Sequence, residues 1–189
     1  MRVTRRHVVR RLAALATVIG LALCSTGPTG AQAPSYTPYQ HKALFLYNFA
    51  KYTEWPKEAF AADDTPFRIG ILGTDPFGKD IDIIKGKTVK GRKLEVICLK
   101  SLDEAKDCQL LFIASSEVSN LAKILKAVEK TSILTIAEND EAKVMINLVT
   151  EKKTGGTQTV AFEINLAAAQ KANLKLDAQL LKLAKQVKT

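Results

Sequence analysis

Short apolar runs alternate with amphipathic stretches in the middle of the chain. Phe67–Leu72 and residues 109–114 are almost wholly apolar and end at turn residues, which is typical of strands buried on both faces. Residues 120–130 repeat apolar side chains every three or four positions, which predicts an amphipathic helix. With further strands at 94–99 and 133–137, this order predicts a compact single α/β domain. Its central sheet should be mostly parallel, with helices on both faces.

The pattern changes towards the C-terminus. Residues 144–151 and 159–164 flank Thr154-Gly155-Gly156, and the second of these segments alternates apolar and polar positions. A period of two around a glycine turn predicts a β-hairpin. Asn165 can cap a helix that begins at Leu166, because its side chain can accept a hydrogen bond from the first turn.

Two more polar residues mark the last elements. Asn173 is expected to close the helix that follows the hairpin, and Asp177 to cap a final helix. The apolar stripe of that final helix would consist of Leu180, Leu183, Ala184 and Val187.

A helix is also predicted between residues 39 and 51. It is apolar on most sides, since Phe45 and Phe49 lie off the stripe that contains Tyr47. Such a helix either lies inside the core or covers a partner. Trp55-Pro56 is expected to end it, because proline disfavours helix in the residue before it.

The first 31 residues have the three parts of a secretory signal: five arginines without an acidic residue, a short apolar run and a small-residue exit. The apolar run is shorter than the roughly 20 residues that span a bilayer. Cleavage before Gln32 is favoured over cleavage after Ala33, because Pro34 would follow the latter cut. We therefore expect a signal peptide at 1–31 and a mature periplasmic domain at 32–189.

Composition changes this picture only slightly. The precursor has a net charge of +9, and removal of the five signal arginines leaves 23 basic and 19 acidic residues, a net of +4. The remaining lysines are scattered rather than interleaved with aromatic residues, so the sequence does not favour nucleic-acid binding. His41 is the one histidine of the mature chain, and no cofactor or metal motif is found.

Two cysteines remain in the mature chain. An even pair in an oxidising compartment predicts a disulfide between Cys98 and Cys108. The alternative is a pair of buried thiols, because free cysteine packs like a small apolar residue.

The segment from Gly73 to Lys79 fits the phosphate-loop pattern G-x-x-x-x-G-K. Asp80 stands where a serine or threonine would bind magnesium, and Pro76 removes one backbone N–H from the phosphate cradle. We interpret the segment as a tight turn between a strand and a helix.

Catalytic chemistry finds little support. Ser115, Ser116 and Ser119 follow the third strand of the central pattern, but no G-x-S-x-G surrounds them. We expect these serines to cap a helix, and we do not expect an enzyme.

Several stretches together resemble the YfiR family of periplasmic regulators, and they cover about residues 39–187. They are Tyr47-Asn48-Phe49 with Trp55-Pro56, Phe67–Leu72 with Gly73, Asp75-Pro76-Phe77-Gly78, Gly86-Lys87-Thr88-Val89-Lys90-Gly91-Arg92, Cys108 before Leu111-Phe112-Ile113, Ile133-Leu134-Thr135, and Phe162-Glu163-Ile164-Asn165-Leu166 with the apolar residues that follow it.

This resemblance implies a non-enzymatic inhibitor that binds the periplasmic part of an inner-membrane diguanylate cyclase or another membrane sensor. It would lower cyclic di-GMP and biofilm formation. The resemblance also implies sequestration by an OmpA-like outer-membrane lipoprotein, and a homodimer. A second disulfide found in the C-terminal half of some members is absent, since no cysteine follows Cys108.

We place the partner contacts on Phe45, Tyr47, Phe49, Trp55, Glu163 and Asn165. The alternative function is a small-molecule carrier or sensor. Its ligand would bind beyond the strand ends, between residues 73–77 and 115–119.

Overall fold

A computed structural model describes residues 36–138, 143–152 and 158–189. The predicted signal peptide and the predicted Thr154-Gly155-Gly156 turn lie outside these residues. Residues 35–189 form one compact unit.

Four α-helices and ten strands are found within the described residues. The helices are α1 (Pro38–Lys51), α2 (Leu121–Val128), α3 (Leu166–Lys171) and α4 (Ala178–Leu183). The strands are β1 (Thr53–Glu54), β2 (Phe67–Leu72), β3 (Thr88–Val89), β4 (Arg92–Leu99), β5 (Leu110–Ile113), β6 (Leu134–Ala137), β7 (Ile146–Lys152), β8 (Gln158–Asn165), β9 (Lys175–Leu176) and β10 (Gln186–Lys188). Short 3-10 helices connect several of them, including Gly78–Ile84 and Ser115–Asn120.

The predicted α/β architecture is confirmed. Eight strands form one mixed sheet in the order β10-β8-β7-β6-β5-β2-β4-β3, as far as the described residues show. Pairing is parallel from β4 through β2, β5 and β6 to β7. The hairpin of β7 and β8 is antiparallel, as its alternating pattern predicts.

Helices cover both faces of this sheet, and each face has its own core. On one face, α1 packs Leu46 and Phe49 against the inward side chains of the central strands and of β8. On the other face, α2 contributes Ile124 and Val128 to a smaller cluster. Full burial of one such side chain contributes about 1.5–3 kcal/mol, so both layers stabilise the sheet.

The start of α1 is fixed by a capping box. Thr37 accepts from the backbone N–H of Gln40, and the Gln40 side chain accepts from the N–H of Thr37. The helix ends at Lys51, as the predicted range of residues 39–51 has it, but Trp55-Pro56 lies further along and does not directly end it. The intervening residues form β1, which pairs with β9 in a separate two-stranded sheet.

The C-terminal caps are as predicted, but the last helix is shorter. Asn165 accepts from Ala168 N–H, and Asp177 accepts from Gln179 N–H. The predicted stripe from Leu180 to Val187 is wrong beyond α4, because residues 186–188 pair with the free edge of β8 as β10. Leu183 is consequently 72% exposed.

Candidate functional site

Trp55 lies at the surface, at the end of the sheet where the parallel strands begin. Its ring meets Phe67 edge-on, with 5.0 Å between centroids, and the side chain is half-buried. Its indole N–H donates to the carbonyl oxygen of Gln109 at 3.1 Å. A half-exposed aromatic side chain with a fixed orientation is suited to bind another surface.

Gln109 connects the segments around Trp55, although no sequence motif marks this residue. The residue is 3% exposed. Its side-chain oxygen accepts from Arg68 N–H at 2.8 Å, and its side-chain nitrogen donates to the carbonyl of Ala59 at 2.8 Å. Its carbonyl also accepts from Leu134 N–H at 2.9 Å. One polar residue at the start of an apolar run thus joins β2, β5 and β6 to the Trp55 segment.

Two open clefts flank Trp55. The first has a volume of about 890 Å³ and runs between Trp55 and the end of α3, with Gln170 and Lys175 on its far wall. The second has a volume of about 820 Å³ and runs towards Phe60 and Arg92. Such mixed polar and apolar walls fit a protein partner better than an enclosed small ligand.

The second cleft has a rigid wall. The Arg92 guanidinium donates to the carbonyls of Ala62 at 2.9 Å and Thr65 at 2.7 Å. The same group lies over the Phe60 ring, 4.0 Å from its centroid. These contacts hold the loop that borders Trp55 in place and leave the cleft open to solvent.

The three predicted contact aromatics of α1 occupy different environments. Phe49 is fully buried, and Phe45 stacks on it at 5.8 Å between centroids while contacting Phe162 at 5.3 Å. Tyr47 is half-buried at the surface, and its hydroxyl donates to the Thr88 carbonyl at 3.3 Å. Phe45 is half-buried like Tyr47, so of these three only Phe49 is closed off from the surface.

Glu163 and Asn165 lie on β8, on the face opposite Phe162 and Ile164. The Glu163 side chain is 23% exposed and faces the Lys188 ammonium at 3.9 Å. Asn165 is engaged in capping α3, with 3.0 Å from its side-chain oxygen to Ala168 N.

Only some of the predicted contact residues come together. Trp55 and α3 border the same cleft, so the helix that Asn165 caps lies close to Trp55. Tyr47 lies beside β3, which is six places from β8 in the strand order. Phe45 and Phe49 contact Phe162, so α1 reaches both strands.

The two loops of the alternative ligand crevice contact each other. Thr74 N–H donates to the Ser116 hydroxyl at 2.9 Å. A Cβ on Gly73 would lie 2.4 Å from that oxygen, so this approach requires glycine. Asp75 accepts from Phe77 N–H at 2.8 Å, which places a carboxylate inside the turn where a phosphate would need donors.

The predicted disulfide is wrong, because Cys98 and Cys108 are free thiols. Strand β2 lies between β4, which holds Cys98, and β5, which follows Cys108. Two strand spacings already separate the residues by roughly 10 Å, whereas a disulfide needs Cα atoms within about 7 Å.

The positions of the two thiols along the strands separate them further. Cys98 is opposite Ile71, whereas Gln109, next to Cys108, bonds to Arg68 three residues earlier on β2. Burial raises the pKa of Cys108 to about 11, so this thiol stays protonated at neutral pH.

The described residues contain no cluster of three or more histidine, cysteine or acidic side chains that could hold a metal ion. Within the same residues, no helix has both the length and the apolarity that a membrane crossing requires.

Comparison with known proteins identifies the family. Residues 39–185 match the model of a family described as YfiR/HmsC-like. No curated protein matches the chain.

A solved structure has a similar fold: the ABC domain in complex with L-Trp from Streptococcus pneumonia, with a TM-score of 0.50 and 14% identity. The match covers 79% of this chain and 60% of that one, so the chain spans less than two thirds of its length. At this identity the likeness extends to the fold alone.

Proposed function

Because the chain belongs to the YfiR/HmsC-like family, we propose that it is a periplasmic, non-enzymatic regulator of a membrane signalling protein. In this proposal its target is a diguanylate cyclase, whose periplasmic sensor part it binds and holds inactive. Lower cyclic di-GMP and less biofilm would follow. Export would use residues 1–31 as a signal peptide, and residues 32–189 would be the mature domain.

The observation that carries this proposal is the fixed tryptophan between two open clefts. Trp55 is held by Gln109 and Phe67, yet it keeps part of its ring at the surface. Tryptophan is among the residues that contribute most binding energy at protein interfaces. A pre-oriented side chain also loses little conformational entropy when a partner binds.

Glu163 and Tyr47 supply two further contacts in this proposal. The Glu163 carboxylate interacts with two exposed lysines, Lys185 and Lys188, and could exchange them for a cation of the partner. Phe45, Phe49 and Asn165 support the contacts from inside, by packing α1 and capping α3. Contacts on α1 and on β8 also suit more than one partner: the sensor, an OmpA-like lipoprotein, or a second copy of the chain.

The test is the cyclic di-GMP level in cells that lack the gene and in cells that carry a restored copy. We expect a rise on deletion and a return with the wild-type gene. A Trp55→Ala copy should fail to lower the level, and Glu163→Ala should do so only partly.

Asp103→Ala is the matched control for Glu163→Ala. Asp103 is also a carboxylate in a lysine pair, but it is exposed and lies on a short helix away from β8. The Asp103→Ala copy should restore the wild-type level of cyclic di-GMP. An unchanged level on deletion would exclude the cyclase as the target. Capture of a membrane sensor by the wild type, but not by Trp55→Ala, would then redirect the proposal to that sensor.

A further inference from the structure

A groove lies between α2 and α3. Its volume is about 560 Å³, within the range of small-molecule sites in proteins. Twelve residues line it, and most of its inner wall is aliphatic: Ala122, Leu125, Val128, Met145, Ala167 and Ala168.

The floor of the groove is built and rigid. Thr135 and Met145 are buried, and the Thr135 hydroxyl accepts from Met145 N–H at 3.2 Å. This bond gives the Thr135 hydroxyl a partner at the base of the groove, so the hydroxyl does not need a water molecule there. An apolar molecule could therefore enter without leaving a buried polar group unpaired.

The rim of the groove is basic. Lys126, Lys143 and Lys171 line it together with a single acid, Glu129. All three lysines are exposed, and none of them forms an ion pair with a residue that the structure describes. Three lysines against one acid among the described lining residues, beside an apolar wall, favour a ligand that is apolar at one end and anionic at the other.

We propose that this groove binds an amphipathic organic carboxylate with one acyl chain or comparable apolar body. The apolar part would lie between Leu125 and Ala168, and the carboxylate would contact the lysine rim. Each buried methylene stabilises the complex, so affinity should increase with chain length, by about fourfold for each methylene.

The groove borders the surface used in the proposed function. Asn165 lines it while capping α3, and Glu163 lies two residues earlier on the same face of β8. A ligand here could alter partner binding, and only this coupling rests on the proposed function. Ligand binding itself is independent of it and is measured without a partner.

The test is calorimetric titration of the mature protein with decanoate. Butyrate and decyltrimethylammonium serve as comparison probes, because one lacks the long chain and the other has the opposite charge. We expect decanoate to bind at least tenfold more tightly than either. Equal binding of the decyl cation would overturn the proposal, since the lysines would then have no role.

Two kinds of variant locate the site. Replacing Lys126, Lys143 and Lys171 together by glutamine should weaken decanoate binding at least tenfold. The matched control replaces Lys79, Lys93 and Lys100, three exposed lysines outside the groove, and should bind like the wild type. Equal loss in both would mean non-specific charge attraction only.

Ala122→Trp tests the apolar wall without touching the core, because Ala122 is exposed. It should abolish binding, while the circular dichroism spectrum stays unchanged. Retained affinity in this folded variant would place the ligand elsewhere and refute the groove.

Discussion

Lys42 of α1 forms an ion pair with Glu138, the residue that follows β6, and the lysine is only 3% exposed. Its ammonium also lies over the Tyr39 ring, 4.3 Å from the centroid. This pair joins the first helix to the far end of a central strand.

Removing the charge of Glu138 and removing the charge of Lys42 should lower the unfolding free energy by different amounts. Glu138→Gln leaves a buried cation without its counter-charge, and we expect a loss of about 3–5 kcal/mol in unfolding free energy. Lys42→Met keeps the packing and leaves Glu138 partly exposed to water, so it should cost about 1 kcal/mol or less. Urea denaturation of the mature protein measures both values. A larger cost for Lys42→Met would contradict this account.

Gly70→Ala should destabilise the middle of the sheet by about 1–3 kcal/mol, because a Cβ there would lie 2.8 Å from both Cys108 Sγ and Leu99 Cδ1. The double variant Gly70→Ala, Cys108→Ala removes one of these clashes and should cost less than the sum of the single changes. Thermal unfolding of the four proteins forms a double-mutant cycle. Strict additivity would show that the two positions do not compete for space.

Gln109→Leu should cost about 2–4 kcal/mol, since Arg68 N–H and the Ala59 carbonyl lose their partner in a buried setting. It should also loosen Trp55, which is the one tryptophan of the chain. The fluorescence emission of this tryptophan should therefore shift to longer wavelength in the folded variant. An unshifted spectrum would mean that Phe67 and the backbone carbonyl of residue 109, which leucine retains, are enough to fix the ring.

The two thiols should differ in reactivity. Cys98 is exposed and should react with a thiol reagent in the native protein, whereas buried Cys108 should react only after unfolding. A reducing agent should leave the melting temperature unchanged, because no disulfide links them. If neither thiol reacts until a reducing agent is added, a disulfide links the two cysteines.

Stability should also fall at alkaline pH. The folded pKa of Cys108 is raised from 9.0 to about 11 by burial, so the unfolded chain loses this proton first. The contribution is complete below pH 9 and is lost as the pH rises towards 11. Cys108→Ala should flatten this part of the stability profile, and an unchanged slope would assign it to other groups.

Local patterns in the sequence predict most of the fold. Phe67–Leu72 is a strand over the predicted residues, and Asn165 caps the helix that its position implies. In both cases the causes lie within a few residues of the chain. The apolar run needs only burial, and the cap needs only the next turn of backbone.

The remaining features depend on residues that are distant in sequence. Val187 continues a helical spacing, but the unpaired edge of β8 takes it into a strand. Cys98 and Cys108 are ten residues apart, yet β2 is inserted between their strands. Gln109 falls at the start of a predicted buried strand, but the partners of its side chain come from segments about 40 to 50 residues earlier and could not be read from the strand pattern.

The candidate site shows the same limit. The apolar character of α1 could not separate Phe49, which is buried, from Tyr47, which is at the surface. Which side of a helix faces the sheet depends on the strands it meets. For α1 these include β8, more than 100 residues later in the chain.

The same long-range packing of α1 has a consequence for the order of folding. β2, β4, β5 and β6 all lie within residues 67–137, so they can assemble while the chain is still incomplete. Tyr47 of α1 can contact Thr88 at that stage, but Phe49 must wait for Phe162. Closing so long a loop has an entropic cost, and contacts of this kind form late. The side of the first helix that faces β8 is therefore expected to pack among the last, and until then Phe49 is open to chaperones.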